Sequence, residues 1–166
     1  MSFNALQNTE LVLTAPLTGR ALPLEQVPDP VFAQKMVGDG AAVEVSANGQ
    51  AQLVAPCAGT VTLVHSAGHG VGISTPEGLD LLLHVGLDTV EMEGRGFQPL
   101  VSADEKVKPG QPLVRFDTGL IAKEGHSLVS PVVVTNPERL DSLELVASGT
   151  VEAGRTPLLR LRVKPA

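Results

Sequence analysis

Residues 78–97 read GLDLLLHVGLDTVEMEGRGF, a dense apolar run with His84 at its centre and Asp88 four positions later. Leu79, Leu81, Leu83 and Val85 alternate with Asp80, Leu82 and His84, the period-two pattern of a strand whose two faces differ. His84 shares its face with Leu82, so its imidazole is partly desolvated. Burial disfavours the charged form and leaves a neutral nitrogen able to act as nucleophile, base or ligand near neutral pH. The turn signal Thr75-Pro76-Glu77-Gly78 precedes the strand, and His69 stands fifteen positions before His84 on the far side of it. Two strands joined at that turn bring the two imidazoles side by side.

The segments around this run repeat. LVLTAPLTGRALPLEQV begins at Leu11, and LVAPCAGTVTLV, forty residues on, has Ala55-Pro56 and Gly59 in the places of Ala15-Pro16 and Gly19. A second echo pairs VKPGQPLVRF, from Val107, with VEAGRTPLLRL, from Val151; in each a glycine turn precedes a strand that buries one face and turns Arg115 or Arg160 to water. Such echoes predict an internally duplicated β unit. Seventeen glycines and thirteen prolines point the same way, to many short strands with frequent turns. Helix is expected only over Val31–Met36, after Asp29-Pro30, and in residues 118–128. Gly38-Asp39-Gly40 reads as a hairpin-type turn and Asn48-Gly49 as a tight one. The fold class expected is all-β: an antiparallel β-sandwich or barrel-like sandwich with a duplicated motif and minor short helices. Residues 1–10 read as a loose tail and 11–163 as one domain.

Composition narrows the function. With 43% hydrophobic but only 2% aromatic residues, and neither Trp nor Tyr, the core is built of Val, Leu, Ile and Ala. A net charge of −6 argues against nucleic-acid binding, which is built on clustered Lys and Arg. One cysteine, Cys57, excludes an internal disulfide and reads as a small core residue. The start MSFNALQNTE lacks the pattern of a signal peptide, and no apolar run reaches the ~18 residues of a membrane helix, so a cytoplasmic protein is expected.

The segments APLTGRALPLEQVPDPVFAQKMVGDG, APCAGTVTLV, HVGLDTVEMEGRGF, VKPGQPLVRFD and SPVVVTN, in this order and nearly without gaps, resemble the glucose-type enzyme IIA domain of the bacterial sugar phosphotransferase system, from about Leu11 to Val163. The resemblance implies a phosphotransferase. It makes His84 the acceptor, at Nε2, of a phosphoryl group from the phosphohistidine of a small carrier protein, the histidine-containing phosphocarrier protein. The group then passes to a cysteine of the sugar-specific IIB domain of a membrane-bound IIBC permease. His69 stabilises the phosphoryl group in flight. Asp29 and Asp88 match the family's acidic pair flanking the histidines, and Val31, Phe32, Leu82 and Val90 form an apolar collar for partners. No cofactor is implied. The chain could be free-standing or the N-terminal piece of a multiphosphoryl transfer protein. It departs from the family pattern at Leu82 and at His65-Ser66, where aromatics are common, and at Ala67, where a hydroxyl residue often stands.

Each choice has a plainer reading. Asp88 and Asp29 could simply serve their turns, and His65 and His126 read as surface or packing residues. A zinc-dependent hydrolase of similar fold, using His69 and His84 with His65, is the rival function, with His84–Asp88 as its one matching HxxxD spacing. The same two histidines could also ligate zinc at a partner interface, although no resident metal is expected. A biotinyl or lipoyl carrier needs a lysine in a Met-Lys or Asp-Lys setting, which neither Lys106 nor Lys108 has.

Overall fold

The computed structural model describes residues 9–165. Its strands are β1 (Thr9–Thr14), β2 (Gly19–Pro23), β3 (Asp39–Val45), β4 (Gln50–Val54), β5 (Gly59–Val64), β6 (Gly70–Ser74), β7 (Asp80–His84), β8 (Phe97–Pro99), β9 (Lys106–Val107), β10 (Pro112–Asp117), β11 (Val129–Val134), β12 (Leu140–Leu145), β13 (Thr150–Val151) and β14 (Pro157–Val163). Two short helices interrupt them, α1 (Pro30–Ala33) and α2 (Thr118–Lys123). An eight-stranded sheet in the order β13-β2-β3-β11-β7-β6-β5-β9 faces two three-stranded sheets, β1-β14-β12 and β4-β10-β8. The ladders are antiparallel. This is the all-β sandwich expected.

The duplication is physical. β1 pairs with β14 and β2 with β13, while β4 pairs with β10 and β5 with β9. The two halves grip each other at the Ala-Pro repeats: Thr14 N–H donates to Pro56 O at 3.1 Å and Val54 N–H to Pro16 O at 2.9 Å. Ala15 N–H likewise reaches Thr156 O, and Ala55 N–H reaches Gln111 O, at 2.8 and 2.9 Å. Reciprocal bonds of this kind satisfy the main-chain groups of segments that have left one sheet for another.

The core lies between the layers. Leu81 and Leu83 of β7 pack there with Val71, Ile73, Val132, Leu159, Leu161 and Phe116, all almost inaccessible. The opposite face of the large sheet is covered by residues 24–37, where Leu24, Val27 and Phe32 close over Leu22, Ala42 and Val133, with Leu82 partly buried beside them. Arg115 and Arg160 face water, as the alternation predicts.

Local expectations need three corrections. The helix expected over Val31–Met36 ends at Ala33, because Lys35 takes a left-handed conformation (φ 60°) that closes the turn. Asp39 and Gly40 are not a turn; they open β3, paired with Val134 and Val133. The helix expected in 118–128 runs only from Thr118 to Lys123, capped by the Asp117 carboxylate accepting from Leu120 N–H. Most of the expected tail falls outside the described residues, and its last two positions, Thr9 and Glu10, are paired in β1.

Candidate functional site

The hairpin β6–β7 turns at Thr75–Gly78, where Thr75 O accepts from Gly78 N–H and its hydroxyl from Leu79 N–H. Its register sets Gly70 opposite His84 and Gly72 opposite Leu82. Because Leu81 and Leu83 point into the core, Leu82 and His84 share the outer face. Gly70 and Gly72 leave that face bare on the neighbouring strand.

His84 is held by its backbone and by one ring nitrogen. Its Nδ1 lies 2.7 Å from Gly86 O. A carbonyl only accepts, so Nδ1 carries the proton and Nε2 presents its lone pair. Gly86 takes a positive φ of 68°, and a side chain there would meet Ser127 O at 2.8 Å. Gly86 N–H in turn donates to the Ser130 hydroxyl at 2.9 Å, and the Thr89 hydroxyl donates to Val85 O. The loop that presents the carbonyl to His84 is thus fixed on both sides. Burial lowers the proton affinity of His84 and a charge on His65 would lower it further; the Gly86 bond and the carboxylates Asp29 and Asp88 oppose this, and the balance is downward. The ring is therefore neutral at neutral pH.

His69 is 4% exposed, and its carbonyl accepts from Val85 N–H at 2.8 Å. Its ring centroid is 4.9 Å from that of His84, edge to face. Its Nδ1 is buried without a hydrogen-bond partner. Burial, to which a positive charge on His84 or His65 would add, pushes its pKa down to about 4.

The other expected residues gather here in different capacities. Phe32 stands 5.6 Å from the His84 ring, centroid to centroid, but it is buried and, like half-buried Leu82, supports the site more than it offers surface. Val31 and Val90 are the exposed pair, at 44% and 49%. Asp29 caps α1 by accepting from Val31 N–H at 2.9 Å, so turn chemistry accounts for one of its oxygens. Asp88 opens the 3-10 turn Thr89–Met92 in a left-handed conformation and makes no side-chain cap, which leaves its carboxylate to solvent and partners.

One residue of the site was missed. His65, read as a surface or packing residue, has its ring centroid 4.1 Å from that of His69. Its Nδ1 accepts from Ala67 N–H at 3.2 Å. The signal that could have found it is the His65-x-x-x-His69 spacing across the tight turn between β5 and β6. His126, by contrast, lies 4.0 Å from Glu91, away from the three rings. Cys57 is buried, and burial with the nearby Glu77 charge pushes its thiol up to about 12, so it is a core residue. Among the described residues, no group of three or more His, Cys, Asp or Glu side chains could hold a metal ion, and no helix is long and apolar enough to cross a membrane.

The family model of the phosphoenolpyruvate-dependent sugar phosphotransferase system, EIIA 1, matches residues 11–140. The chain belongs to this family. Among its relatives, the glucose-specific EIIA component of the phosphotransferase system of Halalkalibacterium halodurans is 44% identical over 155 residues, covering 93% of this chain and 88% of that protein. The N-acetylglucosamine-specific EIICBA component of Klebsiella pneumoniae is 41% identical over 162 residues, 96% of this chain but 24% of that protein. The solved structure of the glucose permease IIA from Mycoplasma capricolum superimposes with a TM-score of 0.83 at 36% identity, covering 96% of this chain and 99% of that one. As an EIIA member the chain is a phosphotransferase, and its work is phosphoryl relay in sugar uptake. The zinc-hydrolase alternative finds no support in this membership.

Proposed function

We propose that His84 is the phosphoryl carrier of the relay, through Nε2. The observation that supports this reading best is the Gly86 O–His84 Nδ1 contact of 2.7 Å, which reserves Nε2 for chemistry beside a second, buried imidazole. In the first step the P–N bond to the histidine of the histidine-containing phosphocarrier protein breaks as a P–N bond to His84 Nε2 forms. In the second, a cysteine thiolate of a sugar-specific IIB domain attacks phosphorus and His84 leaves with its electron pair restored. Such transfers pass through a loose, charge-spread transition state. Positioning and donors around the equatorial oxygens therefore matter more than acid–base catalysis. His69, neutral and close by, serves as such a donor. Asp29 and Asp88 meet cationic groups of the carrier, and Val31 and Val90, with Phe32 and Leu82 behind them, form the apolar docking face.

The relay unit is the domain expected at 11–163, with Thr9 and Glu10 added by the pairing of β1 with β14. The sugar is of the glucose and N-acetylglucosamine kind named in the relatives, and the EIICBA relative suggests a IIBC permease as the recipient. A relay fed from phosphoenolpyruvate operates in the cytoplasm. The test is incubation with phosphoenolpyruvate, enzyme I and the carrier, read by intact mass. The wild-type chain gains one acid-labile phosphoryl group and His84→Ala gains none; a full-stoichiometry adduct on the variant overturns the assignment.

A further inference from the structure

The large sheet places a third imidazole in the row that carries His84. β5 pairs with β6 so that Val64 lies opposite Val71, and His65 N–H donates to Gly70 O at 2.9 Å. Since Gly70 also faces His84, the three positions His65, Gly70 and His84 line up across three strands on one face, with no side chain at the centre. Two strand spacings of ~4.8 Å separate the outer backbones. The His69 ring occupies the space between, 4.1 Å from the His65 ring and 4.9 Å from the His84 ring.

We propose that His65 is a positioning residue of the relay, holding the His69 imidazole in its working orientation by ring contact. The inference rests on the reading of His84 and His69 given above. The torsion that turns an imidazole about its Cβ–Cγ bond is broad and roughly two-fold, so a histidine needs something to choose its orientation. For His84 that is Gly86 O, and for His65 it is Ala67 N–H. For His69 there is none: Nδ1 is buried and unpartnered, and Ala67, two residues before it, has no side-chain donor or acceptor. What remains to hold the ring is contact, and the side away from His84 is supplied by His65. The chain of control runs from Ala67 N–H to the His65 ring, to the His69 ring, and so to the group on His84. A ring flipped about its torsion moves Nε2 from where the phosphoryl oxygens pass, and small misplacements of a donor are costly in rate.

The test compares His65→Ala, which removes the ring, with His65→Phe, which keeps a ring face but no nitrogen. His65 is half-buried in a hairpin, so both variants are expected to fold. In His65→Ala, capture from the carrier proceeds to full stoichiometry with an unchanged KM for the carrier. The kcat for onward transfer to the IIB cysteine falls roughly ten- to a hundredfold, and His65→Phe restores most of the loss. Wild-type transfer by His65→Ala, or no recovery in His65→Phe, overturns the proposal. A second measurement needs no phosphoryl group and so separates this inference from the reading of His84. The His69 ring protons give one sharp set of NMR signals in the wild type and in His65→Phe, and broadened or doubled signals in His65→Ala. A single sharp set in His65→Ala overturns the positioning role even if phosphorylation is found elsewhere.

Discussion

Burial of His69 makes the fold sensitive to mild acid, and the effect can be sized. The folded-state pKa of this residue is pushed down to about 4, while the unfolded chain titrates at the ordinary value near ~6.5. Between those values the unfolded state holds a proton that the folded state does not. Stability from this group is therefore complete above the upper value and is lost as pH falls toward the lower one. A gap of roughly two and a half units at about 1.4 kcal/mol per unit sets an upper bound of ~3 kcal/mol, part of which depends on charge at the neighbouring histidines and is screened by solvent. His84 is shifted in the same direction, so the wild-type curve contains both, and the contribution of His69 is the difference from His69→Gln. The informative interval is pH 5 to 6.5, above the range in which most carboxylates titrate. There the wild-type stability curve should be steeper than that of His69→Gln by roughly 1 kcal/mol per pH unit on average, because the unfolded histidine is only half protonated at the upper end of the interval. The assay is urea unfolding at stepped pH followed by far-UV circular dichroism, because the chain has no Trp or Tyr to report by fluorescence. A uniform loss of stability in the variant does not matter, since the slope is the readout. Equal slopes for the two proteins would refute the burial argument.

Four further outcomes follow. Gly86→Ala forces a Cβ to within 2.8 Å of Ser127 O at a positive φ and should cost ~1–3 kcal/mol in urea unfolding, with the His84 ring signals displaced; wild-type stability would show that the loop yields freely. His69→Gln should still accept a phosphoryl group but pass it on ~10²–10³ more slowly, as expected for loss of one preorganised donor, and a wild-type forward rate contradicts that role. Asp88→Asn should slow association with the carrier and flatten its salt dependence while leaving stability unchanged, because the carboxylate makes no cap bond; an unchanged salt slope in stopped-flow transfer removes Asp88 from docking. Asp29→Asn adds a small stability loss, since that carboxylate caps α1.

The strand at the centre of the site was legible because its alternation is strict: Leu79, Leu81, Leu83 and Val85 are all buried and the residues between them are not. The duplication was legible because both halves need the same Ala-Pro corner to exchange hydrogen bonds. His65 was legible only as a spacing from His69; the face it joins was not, and the reason is a β-bulge. Val61 faces the core opposite Ile73, so simple alternation would send Leu63 and His65 inward as well. The register shifts between Val61 and Leu63, and one extra residue reverses the side on which all later side chains lie. Leu63 emerges 51% exposed and His65 joins the face of His84. Within the expected collar Phe32 is buried in the small cluster with Leu24 and Val27 while Val31 and Val90 stay exposed, a division that the apolar character of the four residues does not announce.

The central claim is that His84 Nε2, freed by the Gly86 contact, carries the phosphoryl group. The most direct test is a long-range ¹H–¹⁵N correlation spectrum of the histidine rings, recorded before and after phosphorylation by the carrier. Before reaction, His84 should be neutral with its proton on Nδ1. Afterwards its Nε2 should show the coupling to phosphorus, with Nδ1 still protonated against Gly86 O. A proton on Nε2 of the free protein, phosphorus on Nδ1, or phosphorus on the ring of another histidine would contradict the account.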